Sequence, residues 1–189
     1  MNVFYIDRDA KICAQQHCDK HVVKMVIEYA QLLSSAHRIL DGAQSEIIQN
    51  NRRKQVWTLP TEGPFYVASH VKHPDAIWCR ATVPNYQFLA SLFRHLCDEY
   101  THRYGRVHVT DGKLRNHLSE SPKNILDGAF TDPPQCMPDE YKGPDAVNAY
   151  QNLYVGSKAR FAKWTNRKPP DWFIQRIENY DSSHFERTR

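Results

Sequence analysis

The sequence predicts a mainly α, single-domain fold, bundle-like, with a long proline-rich loop. Three observations predict it. Apolar residues recur at helical spacing along two long stretches. A hydrophobic share of 41% and an aromatic share of 12% are enough to bury a core. Seven glycines in 189 residues argue against an α/β fold built on glycine-rich phosphate loops.

Taken in order, Val3 to Ile6 reads as one short strand or as an extended N-terminal arm. Asp7 or Asp9 can cap a first helix that begins near Ala10. The periodicity then predicts a helix from about Lys20 to Leu40. Val22, Met25, Val26, Tyr29, Leu32, Leu33, Ala36 and Leu40 form its apolar face, and Asp41-Gly42 stops it. Residues 43–72 carry Arg52-Arg53-Lys54 and then Pro60, Gly63 and Pro64, which reads as a surface loop or insertion.

Pro74 opens a short helix through Trp78 and Ala81. Pro84 restarts a longer one with Tyr86, Leu89, Leu92, Phe93, Leu96 and Tyr100 on its apolar face, ended by Gly105. Residues 121–144 hold Pro122, Pro133, Pro134, Pro138 and Pro144 and form the long loop. Pro144-Asp145 begins a helix with the stripe Val147, Tyr150, Tyr154, Phe161 and Trp164. Pro169-Pro170 breaks it, and Trp172-Phe173 pack back on the core. The domain spans 1–178, and 179–189 reads as a flexible tail.

The bulk numbers bound the function. No apolar run approaches the ~20 residues of a membrane span, and the N-terminal stretch does not read as a secretory signal. The five cysteines are odd in number and lack a Cys-x-x-Cys pair, which fits reduced thiols in a cytoplasmic setting. A net charge of +4 permits contact with nucleic acid or phosphorylated ligands without requiring it. Glycine-rich nucleotide loops, a nucleophile elbow and the zinc deaminase pattern do not occur.

Four stretches carry candidate chemistry. His17, His21, Lys24 and Glu28 fall on one stripe of the long N-terminal helix, opposite its apolar face. A base, a cation and a carboxylate on one line suit acid–base catalysis; the ordinary alternative is a solvated face. Histidines four apart can also share an ion, but Lys24 between them opposes it, and no metal is assigned. A second stripe, His95, Glu99 and His102, reads as an exposed ion-paired face or as the other wall of a shared pocket.

The segment with Arg160, Lys163, Trp164 and Arg167 combines cations with aromatic rings, as phosphate and unpaired bases require. Core packing of the rings is the rival reading. In the loop, Gln135 could present its amide to a ligand or help a rigid wrap around the helices.

Three blocks also form a recognisable set. They are His17-Cys18-Asp19-Lys20-His21-Val22-Val23-Lys24-Met25, His73-Pro74-Asp75-Ala76-Ile77-Trp78 with Asn85-Tyr86, and Pro133-Pro134-Gln135-Cys136-Met137-Pro138-Asp139-Glu140-Tyr141-Lys142. The set resembles a family of proteins from tailed bacteriophages, over roughly residues 1–173. The resemblance implies a viral origin and the host cytoplasm; it supplies no activity and no catalytic residues.

The expected function is an enzyme acting on a base in DNA or on a nucleotide. His21 and Glu28 would move protons, with His17 beside them, and Lys24 would hold phosphate. Asn85, Tyr86 and Gln135 would contact substrate, with Arg160, Lys163, Trp164 and Arg167 gripping the nucleic acid. A non-enzymatic DNA-binding or host-protein-inhibiting accessory protein is the alternative. A metal-dependent hydrolase on the histidine stripes is the second. The sequence names no cofactor.

Overall fold

The computed structural model describes the backbone of residues 1–61 and 63–187 and the side chains of residues 1–61 and 63–179. It is mainly helical. The elements are α1 (Ala10–Gln16), α2 (Asp19–Asp41), β1 (Ala43–Gln49), β2 (Arg52–Thr58), α3 (Pro74–Cys79), α4 (Val83–Tyr104), α5 (Val109–Leu114), α6 (Ala146–Leu153) and α7 (Asp171–Arg187). Asp9 caps α1 by accepting from the Lys11 and Ile12 amides at 2.8 and 2.9 Å. Gly105, at φ 65°, closes α4 with the left-handed turn that glycine adopts without strain.

The two long helices are the centre. α4 packs along both α1 and α2, and α3 and α5 close on α2. The predicted stripes, Val22 to Ala36 on α2 and Tyr86 to Leu96 on α4, are buried. Among the described residues, no helix is long and apolar enough to cross a membrane.

Part of residues 43–72, read as a surface loop or insertion, is regular. β1 and β2 form an antiparallel hairpin in which Ala43 faces Thr58 and Gln49 faces Arg52. Asn50 and Asn51 make its turn with φ of 51° and 57°, the positive values a tight two-residue hairpin turn requires. The hairpin is mostly exposed and has little core of its own. Arg38 of α2 anchors its base, donating to the carbonyls of Trp57, Phe65 and Tyr66.

The helix predicted from 145 through Trp164 ends at Leu153. A wide π turn over Tyr154–Lys158 and a short turn over Ala159–Phe161 follow. Gly156 lies under Tyr141, where an added Cβ would stand 2.5 Å from the ring. Phe161 and Trp164 therefore leave the α6 stripe. After Pro169-Pro170, Trp172 and Phe173 pack back on the core as expected. The backbone of α7 is helical into the segment read as a tail; Thr188 and Arg189 lie outside the described residues.

Residues 3–6 form no strand. They thread through the core as an extended arm, with Val3, Phe4, Tyr5 and Ile6 all buried. Buried backbone without a sheet must find side-chain partners. Val3 N–H donates to Asp75, Phe4 N–H to Tyr29, and Cys13 and Gln151 donate to the Phe4 and Ile6 carbonyls.

Candidate functional site

The stripe of α2 divides. Lys24 is exposed opposite the apolar face as expected, but His21 is covered by Phe4 of the N-terminal arm, and His17 lies outside α2 at the C-terminal end of α1. His17 is wholly buried. Its Nδ1 lies 2.7 Å from the Cys13 carbonyl, and its Nε2 lies 3.0 Å from the Tyr29 hydroxyl. Since a carbonyl only accepts, Nδ1 carries the proton and Nε2 accepts from Tyr29. Burial, against the pull of the Cys13 carbonyl, lowers its pKa to about 4.

His21 stacks on Phe4 with ring centroids 4.1 Å apart, and its Nδ1 pairs with Tyr154. Burial first, then His17, Lys158 and Lys24, lower its pKa to about 2. Both rings are neutral pins of the core. Neither has the exposure a general base needs.

The outer half of the stripe meets chemistry the stripe did not predict. Lys24 donates to Glu28 Oε1 at 2.9 Å, while Glu28 Oε2 is buried without a partner. Glu28 acts electrostatically on His73 and Asp75 at the start of α3. Asp75 is wholly buried. Its Oδ2 accepts from Val3 N–H at 3.2 Å, and its Oδ1 has no partner. Burial raises its pKa to about 7, against the Val3 N–H.

His73 caps α3, its Nδ1 accepting from the Asp75 amide at 3.2 Å. Cys136 arrives from the proline-rich loop, and one donor atom from each of His73, Asp75 and Cys136 lies within 4.8 Å of the others. Burial, and then Asp75, push the Cys136 thiol up to about 11.

The loop that delivers Cys136 is tied down by residues read from sequence as substrate contacts. Gln135 clasps Gly143, donating to its carbonyl at 2.6 Å and accepting from its amide at 2.9 Å. Asn85 does the same to Thr131, accepting its N–H at 2.9 Å and donating to its hydroxyl at 3.0 Å. Tyr86 is buried and bonded to His37 at 2.8 Å. Asn85 and Tyr86 are committed to the fold, whereas Gln135 is tied to Gly143 at the edge of a surface cavity.

The second stripe lines a cavity of about 220 Å³ with Lys11, Gln15, Asp98 and Arg167. Glu99 at its floor accepts from Arg103 at 2.7 Å and from Arg167 at 2.8 and 2.9 Å. Burial opposes the charge on Glu99, but the two guanidiniums prevail and hold it below the usual carboxylate range. Arg103 continues to Asp19 at 2.8 Å. His95 and His102 sit at the rim, His102 exposed and 3.2 Å from the Asn166 carbonyl. The two histidine–glutamate stripes do not share a pocket: Glu99 belongs to an ion network with Arg103, Arg167 and Asp19, and Glu28 acts on the start of α3.

Cations converge on the outer edge of α2. Lys20 stands over the Phe161 ring at 4.6 Å, with Arg160 at 5.9 Å. Burial lowers the pKa of Lys158, and Lys24 and Arg160 lower it further. Arg160, predicted from sequence, thus joins Lys24, whereas Lys163 is exposed, Trp164 is buried on Gln16, and Arg167 is held by Glu99.

His73, Asp75, Cys136 and Lys20 have no chemical role in the sequence reading, whereas Lys158 belongs to its basic, aromatic C-terminal segment. The His73-Pro74-Asp75 start of α3 was visible in sequence only as a helix cap, and a cap does not reveal that its carboxylate is buried. Comparison with family models, curated proteins and solved structures finds no match for the chain.

Proposed function

We propose that this chain is a phage-encoded enzyme that acts on a nucleobase, either in DNA or as a nucleotide. The observation that carries the reading is the position of Lys24. On one side it stands with Lys158 and Arg160, three cations in one electrostatic neighbourhood. On the other it touches Glu28, whose buried Oε2 lacks a partner beside Asp75 and His73. Mutually repelling cations are relieved by an anion such as phosphate. The Glu28 carboxylate, 16% exposed beside Lys24, accepts from the amino or imino edge of a base once the Lys24 contact opens. A phosphorylated base laid along α2 satisfies both, with phosphate on Lys20, Lys24, Lys158 and Arg160 and the base toward Glu28.

Glu28 replaces His21 as the residue at the reacting base, and Lys24 keeps its expected role. The likeness of the sequence blocks to phage proteins supports the viral assignment.

Anisotropy titrations with labelled oligonucleotides, competed by free nucleotides, test the binding, and mass spectrometry of digested nucleosides tests the chemistry. Lys24→Ala with Lys158→Ala is expected to weaken binding by roughly tenfold or more and to flatten its salt dependence. Glu28→Gln is expected to bind but to leave the base unchanged. No binding at low salt, or wild-type binding by the lysine variant, would overturn the proposal. Binding with no altered nucleoside would favour the non-enzymatic reading.

A further inference from the structure

We infer that His73, Asp75 and Cys136 form a binding site for a divalent transition-metal ion of the zinc class. The site adjoins the proposed base-binding edge but stands on its own observations. Its donors come from two separate parts of the chain, the start of α3 and the proline-rich loop.

The donor set indicates the ion. Nitrogen, oxygen and sulfur together suit zinc, cobalt or ferrous iron, whereas magnesium and calcium take oxygen. The three donor atoms lie within 4.8 Å of one another. Ligands about 2.0–2.3 Å from a tetrahedral ion stand roughly 3.3–3.8 Å apart, so the set must contract by about 1 Å. His73 and Cys136 are only half-buried and can make that movement. His73 Nδ1 stands 3.7 Å from Asp75 Oδ2 and accepts from Asp75 N–H at 3.2 Å, so binding through it gives up the α3 cap.

One further feature points to a ligand: Asp75 Oδ1 has no hydrogen-bond partner on a wholly buried side chain, and a cation held with His73 and Cys136 satisfies it. Lys24 lies on Glu28 with its side chain 64% exposed; the charge the ion meets is the N-terminal ammonium, which acts on His73, Asp75 and Cys136. The site uses no histidine of either helical stripe.

The test is metal analysis of the full, untagged chain, stripped and reloaded with zinc or cobalt. One equivalent per chain should survive gel filtration, and the cobalt form should show thiolate-to-metal charge-transfer absorption. Cys136→Ser should abolish that absorption and Asp75→Asn should weaken zinc binding at least tenfold. Circular dichroism checks that each variant is folded, and Cys136→Ser decides the matter if Asp75→Asn does not fold. Substoichiometric metal, or a charge-transfer band that persists in Cys136→Ser, would overturn the inference. Lys24→Ala with Lys158→Ala should leave zinc affinity unchanged. Nucleotide binding by the stripped protein is read separately, so the two proposals can fail independently.

Discussion

Replacing Glu99 by glutamine separates a structural ion network from a functional cavity. The side chains of Glu99 and Arg103 are 2% and 0% exposed, and their contact is 2.7 Å. Glutamine keeps the shape but offers one acceptor, and its amide group must face a guanidinium, donor against donor. Arg103 would retain only Asp19 as a counter-charge. Breaking one side of a buried pair costs about 3–5 kcal/mol. Arg167, 32% exposed, adds little beyond that, because solvent screens its share. With a urea slope of about 2 kcal/mol per molar, the unfolding midpoint should fall by roughly 1.5–2.5 M with the slope unchanged. A fall worth less than about 1 kcal/mol would refute the reasoning and return His95, Glu99 and His102 to candidacy as a site.

Other outcomes follow from the same geometry. His17 is depressed from 6.5 to about 4, so its contribution is complete above pH 6.5 and is lost as pH falls toward 4. At about 1.4 kcal/mol per unit this amounts to about 3 kcal/mol. His21 adds to it in the same direction. Urea unfolding between pH 7 and 4.5 should show this slope, and a flat profile there would contradict the neutral pins. Tyr29→Phe removes the donor to His17 and the acceptor of Phe4 N–H. It should cost about 1–3 kcal/mol and speed hydrogen exchange at Phe4, whereas unchanged exchange would show that the arm is held otherwise. Lys158→Met removes a half-buried charge crowded by Lys24 and Arg160. It should raise stability by about 0.5 kcal/mol while weakening phosphate binding; lower stability would count against the crowding.

The helical frame was readable because one period dominates it. Val22 to Ala36 and Tyr86 to Leu96 repeat every three to four residues, and Thr82 and Gly105 mark the ends of α4. The hairpin was not, because all seven residues of β1 are exposed and so carry no alternation. Its one local signal was the Asn50-Asn51 pair.

The inward half of the α2 stripe was misjudged for a different reason. A helix face can be polar and buried when another segment supplies the partners, and here Tyr154 comes from 133 residues away. Asp75 was hidden in the same way, since its burial depends on Val3, 72 residues earlier. Lys24 was legible because it and its partner Glu28 are four residues apart on one helix, whereas Lys158 and Arg160 sit on turns that break helical spacing.

The threaded arm has a consequence for how the molecule assembles. Residues 3–6 leave the ribosome long before Asp75 and Gln151 exist, and Gln151 is 145 residues downstream of Ile6. Loop closure over such distances is slow. Until translation reaches Gln151, four apolar side chains wait without a home, and chaperones or neighbouring nascent chains can capture them. Bulky fusions ahead of Val3 should therefore lower soluble yield more than fusions at the opposite end.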